Sequence, residues 1–433
     1  MRSFIRDISS VGISKIAIII FSLGRAVITA RWLGPETNGI IAALAVYPVL
    51  FMTFGSLGIS QSATHFIGNG KFTEQSIKIS IIQIWVFTTI ISVFICFLLI
   101  RYFSNSGQNL FLVLLAVFPI PFTLFNNYSA GVFLGKNQIG TYNRINWIPT
   151  AIIFLFIVLL VIIIPWGIEG AMIASFMGPL VLFFILLFRH HFIKAFKLVF
   201  DWIVIRSLFS LGIVYATALL VINLNYKVDI ILLDKLSTPF ELGIYSKGVA
   251  ITEFLWQIPM LLSTIVFARS ANAKDGLQFS RKVAQLLRLS VIIVGFGCLV
   301  LVILAHYIIL IMYGVEFLNS VEVLRWLMPG VLLLTIFKVL NMDLAGKGKP
   351  WVSMKAMIPA LLLNIGLNFI LIPSFGANGA ALSSTISYTV ASLLFLHFYS
   401  REVHLPIKEM IHFSNADFIP IEEAIVKGLK YIK

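Results

Sequence analysis

Charge is what this chain has least of. Only 12% of its 433 residues are Asp, Glu, Lys or Arg, and 59% are hydrophobic. A soluble globular chain carries about 25% charged residues. That shortage excludes a soluble enzyme and a disordered chain. Cysteine is scarce too. Cys96 and Cys298 are the two present, each inside an apolar run, which excludes a disulfide-built secreted scaffold and leaves both as small buried hydrophobes. There is no P-loop, so the chain hydrolyses no ATP itself; Gly346-Lys347-Gly348-Lys349-Pro350 lacks the required spacing. His190 and His191 are adjacent, so they cannot share one helix face. No metal site and no cofactor are expected.

What the chain does have is long apolar runs. Mean hydropathy is +1.00, and the runs mark twelve candidate spans, the first over 11–33 and the last over 378–399. Arg25 interrupts the first run, so it is not read as a cleaved signal peptide. Gly34-Pro35, Gly135-Lys136-Asn137 and Pro165-Trp166-Gly167 punctuate the spans. The expected class is therefore an all-α polytopic membrane protein. The net charge of +14 points to orientation, not to nucleic acid. With the N-terminus inside, inner segments hold 24 Lys and Arg and outer segments hold 5, which places both termini in the cytoplasm of an inner-membrane protein.

An internal repeat is legible. Gly167-Ile168-Glu169-Gly170-Ala171 returns as Gly376-Ala377-Asn378-Gly379-Ala380. Gly135-Lys136 returns as Gly346-Lys347, and Leu33 and Gly39 match Leu236 and Gly243. Six spans plus six keep the same orientation, so the halves relate by an axis along the membrane normal. The expected organisation is a bundle over 1–195, a second over 196–399 and a cytoplasmic tail over 400–433. Ile421, Ile425, Leu429 and Ile432 share one helical face in that tail. The joining segment, with Arg189, Lys194 and Lys197 among Phe192, Phe196 and Phe200, reads as a basic amphipathic stretch at the cytoplasmic surface.

Function must reside in the few charges inside spans. These are Arg25, Lys227, Asp229, Glu253, Lys338 and Asp343. A charge at mid-bilayer costs about 2.5 kcal/mol or more, so it usually faces a bundle interior or an aqueous cavity. Asp343 lies near a span end and is expected to snorkel. Arg25 and Lys227 fall at equivalent repeat positions, and the first half carries no acid inside a span. A cationic cavity suits an anionic substrate such as a pyrophosphate group. Arg25, Lys227 and Lys338 are the candidate substrate-binding residues. Asp229 and Glu253 are candidates for a coupling ion.

The stretch Ala30-Arg31-Trp32-Leu33-Gly34-Pro35-Glu36-x-x-Gly39 resembles the polysaccharide transport proteins, the O-antigen (Wzx-type) flippases of the multidrug/oligosaccharidyl-lipid/polysaccharide exporter superfamily. Asp229-Ile230-Ile231-Leu232-Leu233 followed by Leu242-Gly243-Ile244-Tyr245 is similar to that family's second half. The resemblance implies about twelve transmembrane helices in two pseudo-symmetric six-helix bundles around a central cavity. It implies alternating access and a polyprenyl-diphosphate-linked oligosaccharide as substrate, such as an O-antigen, lipopolysaccharide, capsule or exopolysaccharide repeat unit. Glycosyltransferases, a polymerase and a chain-length regulator are the protein partners it implies, alongside membrane lipids. Arg25 matches a position where related flippases engage the diphosphate, whereas spans 2 and 8 lack a comparable mid-span cation. A multidrug or cation antiporter of the same superfamily is the alternative, although the first half offers no carboxylate for a cationic drug. A membrane-embedded polymerase or ligase would call for a large outer loop, and the outer loops here are short.

Overall fold

A computed structural model describes residues 2–413, apart from 137, 198, 258, 259, 261–265, 268 and 271–274, with side chains from Ser14 onward except at 139 and 211. The expected tail helix at 421–432 lies outside the described residues, as do the side chains of Arg2 and Arg6 and all of Lys274. Every regular element among the described residues is helical.

Nine described segments are long and apolar enough to cross a membrane. Two of them run to 55 and 52 residues, about 80 Å of helix each against a hydrocarbon core of about 30 Å. Each therefore crosses twice, and each is broken where its two passes meet. Helix α1 (Arg2–Gly55) breaks at Gly34, with φ 70° and ψ 175°. A second break falls at Gly376, with φ 52° and ψ −129°. Only glycine is at ease in either conformation. With a further pass begun by the short helix at Pro239–Leu255, this is the multi-pass, all-helical architecture that the hydropathy predicts.

The chain divides into two compact units. The first holds Met1–Ser246 and Ile309–Leu318, the second Lys247–Ile308 and Asn319–Lys433. In the first unit α1 is followed by α2 (Ile59–Gly68), α3 (Glu74–Phe103), α4 (Leu110–Val117), α5 (Pro119–Gly135), α6 (Ile139–Asn146), α7 (Ile148–Ile157), α8 (Gly167–Phe184) and α9 (Trp202–Leu236). Helix α10 (Pro239–Leu255) starts in this unit. The second unit holds most of α11 (Gly276–Tyr313), then α12 (Ser320–Gly346), α13 (Val352–Val403) and the short α14 (Ile407–Ile411).

Side-chain caps set several helix starts. The Thr73 hydroxyl accepts from the Ser76 amide at 3.2 Å, Asn109 accepts from Phe111 and Leu112, and Asp201 accepts from Val204. Each supplies an acceptor for a backbone donor that the first turn leaves free. Glu36 follows Pro35 directly after the α1 break, and Glu74, Glu169, Glu241 and Glu322 stand in first turns. The acids thus sit at positive helix ends, clear of mid-span. One boundary differs from the sequence reading. Helix α11 begins at Gly276, well before the apolar run at 286. Ser280, Val283, Ala284 and Leu287 are buried, so this polar-looking turn folds by packing one face, which hydropathy does not register.

Between helices in lipid there is little hydrophobic drive, so small residues and close backbone packing carry association. The repeat shows this directly. Gly167 and Gly376 both have positive φ, and three residues later Gly170 and Gly379 press against the carbonyls of Leu160 and Leu371. A Cβ at either place would overlap a carbonyl oxygen of the preceding helix. One sequence motif therefore builds the same tight hairpin in both units. Aromatic edges fill the first unit's core, where Phe125 meets Trp85, Phe183 and Phe192. Tyr128 closes the end of α1 by donating to the Gly55 carbonyl, and it also bonds Thr88 at 3.0 Å. Cys96 and Cys298 are buried and free, as expected.

Candidate functional site

The stretch Ala30 to Gly39 forms the α1 break. Pro35 brings no amide, so the preceding turn loses a donor. Asn38 bridges the break at other carbonyls, donating Nδ2 to those of Thr29 and Gly34 at 2.7 Å each. Arg31 reaches the carbonyls of Ile311 at 2.5 Å and Met312 at 3.2 Å, at the end of α11. A cation there offsets the negative helix terminus. The motif's residue types are thus explained by backbone repair at a break. Substrate contact need not be invoked for them.

The second-half motif closes on itself. Asp229 on α9 is fully buried and accepts a hydrogen bond from the Tyr245 hydroxyl on α10 at 3.0 Å. The two quoted fragments of that motif are joined by this bond. Tyr245 was present in the motif, but sequence alone gave no reason to pair it with Asp229 across a turn.

Arg25 sits in the first pass of α1. Its side chain is exposed and makes no hydrogen bond or ion pair with another described residue. The exposed large apolar residues of this pass are Ile16, Ile20 and Trp32. Ile16 and Ile20 lie about 180° and about 140° around the helix from Arg25, and Trp32 about 20° from it. Ser22 and Thr29 share the Arg25 side, with Trp32 near the break. Arg25 is therefore opposite Ile16 and Ile20, on a side that carries Ser22, Thr29 and the exposed Trp32. Just beside it Gly24 packs on Phe154, and Phe21 stacks with Trp147 at 6.3 Å between centroids. These contacts fix the rotation of α1 against α6 and α7.

Lys227 is half-buried on α9, which packs against α1. Lys338 belongs to the second unit, half-buried on α12, with its ammonium 4.2 Å from the centre of the Trp256 ring. A cation over an indole face is stabilised by the ring quadrupole. Glu253 is half-buried on α10 in that same unit. Arg25, Lys227 and Asp229 thus belong to one unit, Glu253 and Lys338 to the other.

Asp343 departs from the sequence expectation. It does not snorkel. Its carboxylate is fully buried and accepts from Ser270 at 2.6 Å, Ser280 at 2.8 Å, Tyr399 at 2.7 Å and Lys347 at 2.8 Å. Four donors make burial of this charge tolerable. Hydropathy placed Asp343 near a span end, where water would be within reach, but only packing reveals that α11 and α13 cover it. Among the described residues no cluster of His, Cys, Asp and Glu could hold a metal ion.

Residues 4–271 match the family described as Polysaccharide biosynthesis protein. The chain belongs to that family. Residues 215–370 also match MatE. Among individual relatives, the "Probable low-salt glycan biosynthesis flippase Agl15" of Haloferax volcanii is 21% identical over 206 residues. That alignment takes in 47% of this chain and 43% of the relative, so the chain spans less than half of the curated relative it matches. Solved structures share the fold over nearly the full length. The lipid II flippase MurJ, in an inward closed conformation, superposes with a TM-score of 0.74 at 17% identity, covering 98% of this chain and 97% of that one. An inward-facing multidrug resistance MATE family transporter of the MOP superfamily gives 0.72 at 12% identity, covering 90% and 96%. The family's fold is thus the one that flippases and multidrug transporters use.

Proposed function

We propose that this protein is a flippase that moves a polyprenyl-diphosphate-linked oligosaccharide from the inner to the outer leaflet of the inner membrane by alternating access. The observation that carries this reading is Arg25: exposed, opposite Ile16 and Ile20 on α1, and without a partner among the described residues. A guanidinium held in that way at membrane depth has an unmet need for an anion, and it offers a diphosphate bidentate hydrogen bonds. Family membership and the glycan-flippase relative support the substrate class. Lys227 and Lys338 are the further cations assigned to the diphosphate. Asp229 and Glu253 are assigned to a coupling ion. The repeat unit carried would belong to O-antigen, capsule or exopolysaccharide, with both termini in the cytoplasm and glycosyltransferases, a polymerase and a chain-length regulator as partners. A dianion leaving a negative-inside cell gains about 4.6 kcal/mol per 100 mV, twice the single-charge value.

A second reading, a multidrug or cation antiporter, is favoured by the MatE match and by the MATE structures. Proteoliposomes holding polyprenyl-diphosphate-linked oligosaccharide separate the two. The measurement is loss of headgroup accessibility from one leaflet, for wild type, Arg25→Ala and Lys227→Ala. Translocation by wild type and its loss in both folded variants supports the flippase and its site. Absence of translocation by folded wild type, with proton-driven export of a cationic dye, supports the antiporter. Translocation indifferent to both substitutions keeps the flippase and refutes the cation assignment.

A further inference from the structure

The segment between α8 and α9 mixes basic residues with large apolar ones. It joins two candidate membrane spans, Gly167–Arg189 and Trp202–Leu236, and so lies at a membrane surface. Its inner side is fixed to the first unit. Phe192 and Ala195 are buried in the aromatic core. Gln75 donates to the Lys194 carbonyl at 3.2 Å, and Gln83 donates to the Val199 carbonyl at 2.8 Å. Lys78 reaches the His190 carbonyl at 3.4 Å. Backbone groups are used for anchoring, so the outer side chains are left to face outward.

Those outer side chains are of two kinds. Phe196, Phe200 and Trp202 are 47%, 72% and 70% exposed. Arg189, Lys194 and Lys197 are exposed between and beside them. Against these three cations the stretch holds one acid, Asp201. It is spent on capping α9 through the Val204 amide and on the Ser76 hydroxyl at 3.4 Å. Water alone is a poor environment for three large aromatic rings this exposed. The boundary of a bilayer suits them, since aromatic rings lodge at headgroup level.

We propose that this segment is a binding site for anionic phospholipid headgroups, with Arg189, Lys194 and Lys197 taking the lipid phosphates and Phe196, Phe200 and Trp202 seated at the acyl boundary. Zwitterionic lipid would satisfy the aromatics but not a stretch whose three cations outnumber its one acid. The site is independent of the transport reading, because it rests on surface charge and aromatic exposure alone.

The test uses the full chain reconstituted in phosphatidylcholine vesicles, with brominated lipid as the quencher. Brominated phosphatidylglycerol and brominated phosphatidylcholine are compared as minor components, and the Trp202 signal is isolated as wild type minus Trp202→Phe. Stronger quenching by the anionic lipid is expected. Each cation removed (Arg189→Gln, Lys194→Gln, Lys197→Gln) should weaken the anionic preference about fivefold, and all three together about a hundredfold. Lys194→Arg with Lys197→Arg should restore it. Undiminished quenching by brominated phosphatidylcholine in the triple variant confirms that the segment is still seated. Equal quenching by the two lipids in wild type, a preference that survives the triple substitution, or no quenching of Trp202 at all would overturn the proposal.

Discussion

Gly39 and Gly243 occupy each other's space. A Cβ on Gly39 would strike the Pro239 carbonyl, and a Cβ on Gly243 would strike the Pro35 carbonyl. Each glycine follows its own proline by four residues, and each meets the proline of the other helix. The second pass of α1 and helix α10 therefore cross at contact distance about a local two-fold. The repeat detected in sequence as Leu33/Gly39 against Leu236/Gly243 is, in space, one helix crossing made by both of its copies.

Gly39→Ala and Gly243→Ala are each expected to destabilise the protein by about 1–3 kcal/mol, because neither Cβ can rotate away from a carbonyl. The double variant should cost less than the two singles combined, since one separation of the helices relieves both clashes. Thermal unfolding of the detergent-solubilised protein, run as a double-mutant cycle, measures the coupling. Additive losses would show the crossing to be no shared contact.

Gly376→Ala should cost about 1–3 kcal/mol, because φ 52° with ψ −129° is open to glycine and strained for any residue with a Cβ. Gly366 is the control. It lies in the same helix with open space around its Cβ position, so Gly366→Ala should be neutral or slightly stabilising by helix propensity. The same unfolding measurement compares the two.

Lys136 and Lys347 are repeat equivalents with unequal settings. Lys136 pairs with Glu74 at 2.7 Å in a pair about one-third exposed, and Glu74 keeps Lys78 as well at 2.8 Å. Lys347 pairs at 2.8 Å with Asp343, which is fully buried. Lys347→Met should cost about 3 kcal/mol, since it leaves a buried carboxylate without its counter-charge. Lys136→Met should cost less than about 1 kcal/mol. Similar losses for the two would mean that burial of Asp343 does not set the energetics.

His190 lies just past the α8 span. Burial first, then the charges of Arg189, Lys78 and His191, hold its imidazole below the usual histidine range. The ring also meets Phe133 edge-on at 5.0 Å between centroids. With the folded pKa below the unfolded value of about 6.5, the unfolded chain takes up the proton first. The stability associated with neutral His190 is complete above that pH and is lost as pH falls through the lower folded value. His190→Gln should flatten this acid-side decline in melting temperature. A decline unchanged by the substitution would assign it to other groups.

The sequence by itself determined the membrane class, the all-helical fold and the repeat. Apolar run length against bilayer thickness fixes the crossings, and backbone groups in hydrocarbon must bond within their own segment, which leaves helices. It also located the breaks at Gly34 and Gly376 and the hairpins at Gly167 and Gly376, because glycine and proline act locally on the chain. The tertiary structure decided what those residues touch. That Asp229 meets Tyr245, that Lys338 lies on Trp256, that Gly39 packs on Pro239 and that Asp343 is sealed by four donors depends on which helix faces are brought together. Charge and hydropathy register how costly a buried group is, but not the partner that makes it bearable. That partner comes from a distant segment, and only packing brings it within hydrogen-bonding distance.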